Sequence, residues 1–184
     1  ALTQEQIKAN EIGYFNVVVE KAFFPSDKAE MNRIICGIAK ILSDDGVEWI
    51  DTLPISMEQP YEYLEARDSD IVKLRKNIGV QHYATAEDCL AEMYELYEID
   101  DSYTEKEKRI IAGVRYEMII RSFSLSNRYT FAEDIPSELM LTVSESFTHI
   151  KGVEISIVAY RQYTDSQLAP HTIGTIGKIN AEEW

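Results

Sequence analysis

Apolar and polar positions along the chain change period several times, and each change marks an element. Residues 12–20, from Ile12-Gly13-Tyr14-Phe15 through Val17-Val18-Val19-Glu20, are rich in β-branched and aromatic types and predict a strand. Ser26-Asp27 then opens a helix. Met31, Ile34, Ile35, Ile38, Ile41 and Leu42 recur at helical spacing and form one apolar face, and Asp44-Asp45-Gly46 closes it. Pro54 and Pro60 punctuate the next stretch, so residues 50–64 are expected to be extended and near a sheet edge. Helices are predicted over 69–77, 85–97 and 104–113. Thr85 with Asp88, and Thr104 with Glu107, supply N-cap spacing for the last two.

Residues 114–123 fit two periods. Val114, Tyr116, Met118 and Ile120 alternate with Arg115, Glu117, Ile119 and Arg121, and Gly113 is placed where a helix C-cap would fall. The strand is the preferred reading, with a continued helix as the alternative. Tyr129 to Glu133 predicts a short strand, and Asp134-Ile135-Pro136 starts a helix running to about Thr148. After Lys151-Gly152, a last strand carries Val153, Ile155, Ile157 and Ala159 on one face. The fold class is α+β, one domain over 1–184 with a helical subdomain at 66–113. There is no internal repeat and no linker rich in Pro, Gly or Ser.

Composition narrows the function classes. The 184 residues carry 18 Lys+Arg against 32 Asp+Glu, a net charge of −14. An acidic body of this size lacks the basic face that binding to a nucleic-acid backbone requires, so nucleic acid is excluded as a partner, and docking on anionic lipid is disfavoured. A chain this long buries about 70% of its unfolded surface, so it needs no metal or disulfide staple. Cys36 and Cys89 lie in helical patterns without CxxC or Cys/His spacing; two free thiols are the simpler reading and one disulfide the other. No apolar run approaches the ~18 residues of a membrane span, and nothing resembles a signal peptide. The chain opens at Ala1 and closes on Asn180-Ala181-Glu182-Glu183-Trp184, the spacing of a helix start, so a piece of a longer protein is expected.

Reactive side chains converge on no catalytic motif. GxGxxG, GxxxxGK[ST] and GxSxG are absent, and Gly174-x-x-Gly177 is too short to cradle phosphate. His82, His149 and His171 form neither an i, i+4 pair nor HExxH, so neither a metal nor any other cofactor is expected. With 32 acids, neighbours such as Asp44-Asp45 and Asp100-Asp101 arise at turns without implying a glycosidase pair. His171, in Leu168-Ala169-Pro170-His171-Thr172-Ile173-Gly174, has no nearby nucleophile or orienting acid and reads as a structural residue at a chain reversal. Arg115, Arg121, Arg128 and Arg161 lie near Glu117, Glu133 and Asp165; cross-strand ion pairs explain them, and a partner-binding surface is the alternative. Tyr61, Tyr63, Tyr94 and Tyr97 are either half-buried core or interaction surface.

Arg161-Gln162-Tyr163, followed by Ala169-x-His171-x-x-Gly174-x-x-Gly177, resembles a signature of class B penicillin-binding proteins, where R-x-Y leads into A-x-H-x-x-G-x-x-G at the end of the non-catalytic N-terminal domain. Tyr129 through Glu138, then Glu145, then Lys151-Gly152-Val153-Glu154-Ile155, are similar to that domain's strand–helix–strand approach. Ile111 through Met118, with Arg115, Tyr116 and Glu117, and Trp49 through Ile55 resemble the version found in clostridial and related Gram-positive bacteria. The resemblance is strongest from 110 to 179. Tyr163-Thr164-Asp165-Ser166 departs from the usual Tyr-Pro-x-Gly, and the arginine-rich motif that follows the membrane anchor is missing, with Ala1-Leu2-Thr3 similar to its tail.

The family's catalytic motifs SxxK, SxN and KTG do not occur; Ser69-Asp70-Ile71-Val72-Lys73 is one residue too long. The resemblance therefore implies a non-catalytic dimerisation or pedestal domain. Its expected partners are its own transpeptidase domain, an integral-membrane glycosyltransferase, other cell-wall assembly proteins and, as a homodimer, a second copy. Its expected location is the extracellular face of the cell membrane. Arg115, Tyr116, Glu117, Arg161, Tyr163, Ala169, His171, Gly174 and Gly177 are then structural or interaction residues. Two other readings compete: a free-standing secreted protein-binding module, and a small hydrolase using paired carboxylates.

Overall fold

The computed structural model describes residues 13–64, 68–147 and 152–159. Strand β1 (Gly13–Val19) is followed by helix α1 (Lys28–Asp44), then by α2 (Asp68–Ile78), α3 (Ala86–Leu96) and α4 (Glu105–Ile120). Strand β2 (Tyr129–Ile135), helix α5 (Ser137–Ser146) and strand β3 (Val153–Ala159) complete the order. The α+β expectation is met by these five helices and one three-stranded antiparallel sheet of order β2-β1-β3. Tyr14–Val158 form one compact unit.

Local signals start the helices where the pattern placed them. Asp27 accepts from the Glu30 N–H at 2.8 Å and caps α1. At α3, Thr85 Oγ1 accepts from the Asp88 N–H while Asp88 accepts from the Thr85 N–H, a complete capping box. Thr104 and Glu107 repeat it at α4. Each box satisfies backbone donors that a helix start leaves without partners.

Residues 114–120 are helical, which corrects the preferred strand reading. α4 runs unbroken through Gly113 to Ile120, because it is walled in along this stretch. Ile110, Ile111, Ala112, Val114, Tyr116, Glu117 and Met118 are all buried. A helix buried on most sides loses the one-sided 3.6-residue pattern, and alternate apolar positions then fit a strand equally well.

The predicted extended segment at 50–64 meets β2 at its start, where the Ile50 N–H donates to the Phe131 carbonyl at 3.3 Å. It folds back on itself through an Ile55–Tyr63 bridge. β1, the central strand, is buried on both faces through Val17, Val18 and Val19. β2 pairs with it antiparallel and carries two bulges: Phe15 opposes Ile135, Val17 opposes Ala132 and Val18 opposes Thr130. Asp134 sits in the first bulge at φ 53°, and its N–H donates to Asn16 Oδ1 at 3.1 Å. The bulge thus turns the chain into α5 without leaving an amide unsatisfied.

The core joins Val17, Val19, Ile34, Ile35, Ile38, Leu42, Leu74, Leu90, Met93, Ile111, Val114, Phe131 and Leu139. α1 supplies the predicted face, with Ile41 only half-buried. On β3, Val153 and Ile155 pack against the core while Ile157 is 69% exposed, so the predicted apolar face is not uniformly covered. Gly152, at φ +98°, passes so close to the β1–α1 turn that a Cβ would lie 2.6 Å from the Phe24 nitrogen. Only glycine fits there.

Candidate functional site

Three residues one turn apart on α4, Arg109, Gly113 and Glu117, face the segment 51–56; the two charged ones bind it and the glycine leaves room for it. The Arg109 guanidinium is 2% exposed, and each of its three nitrogens donates to that segment. Nη1 meets Asp51 Oδ2 at 3.0 Å, Nε donates to the Ser56 carbonyl at 3.1 Å, and Nη2 donates to the Ile55 carbonyl at 2.7 Å. Asp51 uses its other oxygen to accept from the Leu53 N–H at 3.0 Å. Glu117, fully buried, accepts from the Thr52 N–H at 2.7 Å, from the Thr52 hydroxyl and from Arg121 Nε at 2.8 Å. Gly113 lies between the two charges, where a Cβ would come within 2.7 Å of Arg109 Nη1 and 3.1 Å of Asp51 Oδ1. The absence of a side chain lets the ion pair cross the helix surface. Buried charges persist when they are paired and hydrogen-bonded, and in this set Arg109, Asp51 and Glu117 each have both an opposite charge and further hydrogen bonds.

On its other side α4 carries Arg115. Its Nη1 donates to Asn32 Oδ1 at 3.2 Å and its guanidinium lies over the Tyr97 ring at 5.1 Å. Asn32 in turn donates to the Tyr97 and Glu98 carbonyls at 3.0 and 3.2 Å, and Lys28 pairs with Glu98 at 2.8 Å. One polar junction thereby ties α1, α3 and α4 together. Burial, opposed by neighbouring Arg115, pushes the Tyr97 hydroxyl up to about 12.

A second junction ties α2 to α3. Arg75 donates to the Ala84 carbonyl at 2.7 Å and lies over the Tyr63 ring at 4.8 Å. The Tyr63 hydroxyl donates to the same carbonyl at 2.8 Å and lies 3.1 Å from Cys89 Sγ. Both cysteines are free thiols, settling that alternative. Burial, reinforced by Glu107, raises Cys36 to about 11, and burial raises Cys89 as well.

Of the residues singled out from sequence, Arg115, Tyr116 and Glu117 stand on α4; Arg161, Tyr163, Ala169, His171, Gly174 and Gly177 lie outside the described residues. The cross-strand explanation of the arginines is corrected for two of them. Arg115 bonds a neutral amide, and Arg121 pairs with Glu117 along the helix rather than across strands. Arg128 pairs with Glu20, just beyond the paired ends of β2 and β1, at 2.5 Å. Tyr97 is buried, while Tyr61, Tyr63 and Tyr94 are partly buried against the core. Ser69 and Lys73 sit on α2, where Lys73 pairs with Asp70 at 3.3 Å. Among the described residues, no three His, Cys, Asp or Glu side chains are grouped to hold a metal, and no helix is long and apolar enough to cross a membrane.

Sequence reasoning missed Arg109 and Asp51. Their pairing spans 58 residues, and the four-residue recurrence of Arg109, Gly113 and Glu117 becomes visible only when 104–120 is read as one helix.

Comparison with protein families decides what carries this scaffold. The family model described as the penicillin-binding protein dimerisation domain matches residues 7–184. The chain belongs to that family. No match was found among the curated proteins. The dimerisation domain is the non-catalytic part of a penicillin-binding protein, and α4 with its clamped segment lies inside the matched span.

Proposed function

We propose that this dimerisation domain is the pedestal of a class B penicillin-binding protein of the clostridial, Gram-positive type. It holds a D,D-transpeptidase domain off the outer face of the cell membrane, where the parent is anchored by an upstream helix, during peptidoglycan synthesis. The family match over 7–184 carries this reading. The buried Arg109–Asp51 and Glu117–Thr52 contacts support it, since they tie a long connection to the central helix and give a body that transmits position rather than performs chemistry. Its partners are the transpeptidase domain, a second copy, and cell-wall assembly proteins such as the integral-membrane glycosyltransferase. The acidic balance of −14 suits a spacer that an anionic membrane surface repels.

Sequencing the parent reading frame tests this directly. A membrane span upstream and SxxK, SxN and KTG downstream are expected; a frame without them overturns it.

A further inference from the structure

Where the end of α4 meets the turn after β1, a cleft of about 200 Å³ opens between Met31, Met118, Ile119 and Phe123, with Lys21 and Arg115 as its two charged walls. No carboxylate lines it, although the chain carries 32 acids against 18 bases. Neither cation makes a salt bridge among the described residues, although Glu98 acts on Arg115 from a distance. Arg115 meets only the Asn32 amide oxygen and the Tyr97 ring, and the nearby Glu98 is held by Lys28 at 2.8 Å. Lys21 lies over the Phe123 ring at 5.5 Å and makes no ion pair among the described residues.

Five carbonyls at and just beyond the end of α4, the usual source of negative potential at such a place, are engaged internally. Those of Glu117, Met118 and Ile119 accept from the Arg121, Phe123 and Ser122 N–H groups. Those of Arg121 and Ser122 accept from Asn127 Nδ2 at 2.6 and 3.3 Å. What remains is an apolar floor beside Lys21 and the half-buried Arg115, neither of them in a salt bridge among the described residues, and half of the Ile119 surface is open to solvent.

We propose that this cleft docks a segment of a partner protein in which a large apolar side chain stands beside a carboxylate. The volume is below the ~300–1,000 Å³ of small-molecule sites and matches one anchoring side chain. The planar Arg115 guanidinium suits a carboxylate, and Lys21 adds a second positive charge at the rim. This deepens the interaction-module reading by giving the chemistry of one partner.

The test is a titration of the isotope-labelled 184-residue chain with two capped peptides, acetyl-Ser-Asp-Leu-Glu-Phe-Ser-amide and its counterpart with Lys in place of Asp and Glu. The acidic peptide is expected to shift the amide resonances of Lys21, Ile119, Ser122 and Phe123, less so as salt is raised, and the basic peptide to leave them unmoved. Lys21→Glu should weaken the acidic peptide roughly tenfold and admit the basic one. Ile119→Ser, at an exposed position, should weaken the acidic peptide while keeping its preference over the basic one. No response, an equal response to both peptides, or shifts confined to other surfaces overturn the proposal. So does loss of a dimer in Lys21→Glu by sedimentation, which would seat a second copy in the cleft. A parent frame lacking SxxK would defeat the pedestal reading alone; a silent cleft in a confirmed transpeptidase would defeat this inference alone.

Discussion

Arg109 places a full positive charge in the interior and uses it to satisfy Asp51 and the carbonyls of Ile55 and Ser56. Removing one partner of a buried pair leaves the other uncompensated, so Arg109→Ala should cost about 3–5 kcal/mol in denaturant unfolding. Gly113→Ala separates two effects of opposite sign. Helix propensity alone would stabilise it by about 1 kcal/mol. The added methyl would have to displace Arg109 Nη1 and Asp51, a clash that costs about 1–3 kcal/mol. Net destabilisation is expected, and a stabilised Gly113→Ala would show that the approach is looser than described. The thiols offer a second check at this scale. Burial raises both, Cys36 to about 11, so neither is an activated thiolate. A thiol reagent at about pH 8 should modify them slowly in the native chain and rapidly once it is unfolded.

At the scale of elements, the two capping boxes make the starts of α3 and α4 sensitive to acid. Backbone hydrogen bonding from Thr85 and Thr104 lowers the Asp88 and Glu107 carboxyls below their ordinary values. A carboxylate lowered in the folded state contributes stability that is present above its unfolded pKa and lost as pH falls through the folded one. Stability should therefore decline on acidification below about pH 4.5, and Glu107→Gln should flatten part of that decline in melts recorded across the range. These caps were legible because Thr85-x-x-Asp88 and Thr104-x-x-Glu107 are local spacings with a local cause. The end of α4 was not. Val114, Tyr116 and Met118 alternate as a strand would because the helix carrying them is buried on most sides, and Gly113 imitates a C-cap while serving the close approach of Arg109 and Asp51. Pairing across 58 residues leaves no mark in local pattern.

At the scale of the molecule, the −14 balance hides an uneven distribution. Positive charge is used inside, on Arg109 and Arg115, to tie helices and the 50–64 segment together, while the acids are largely outside. The family match makes this body a dimerisation domain, a non-catalytic part of a penicillin-binding protein. Incubating the isolated 184-residue chain with fluorescent penicillin, beside a parent chain carrying the proposed transpeptidase domain, tests that claim most directly. The account predicts no covalent label on the 184 residues and a labelled band for the parent chain; a labelled 184-residue chain would contradict it.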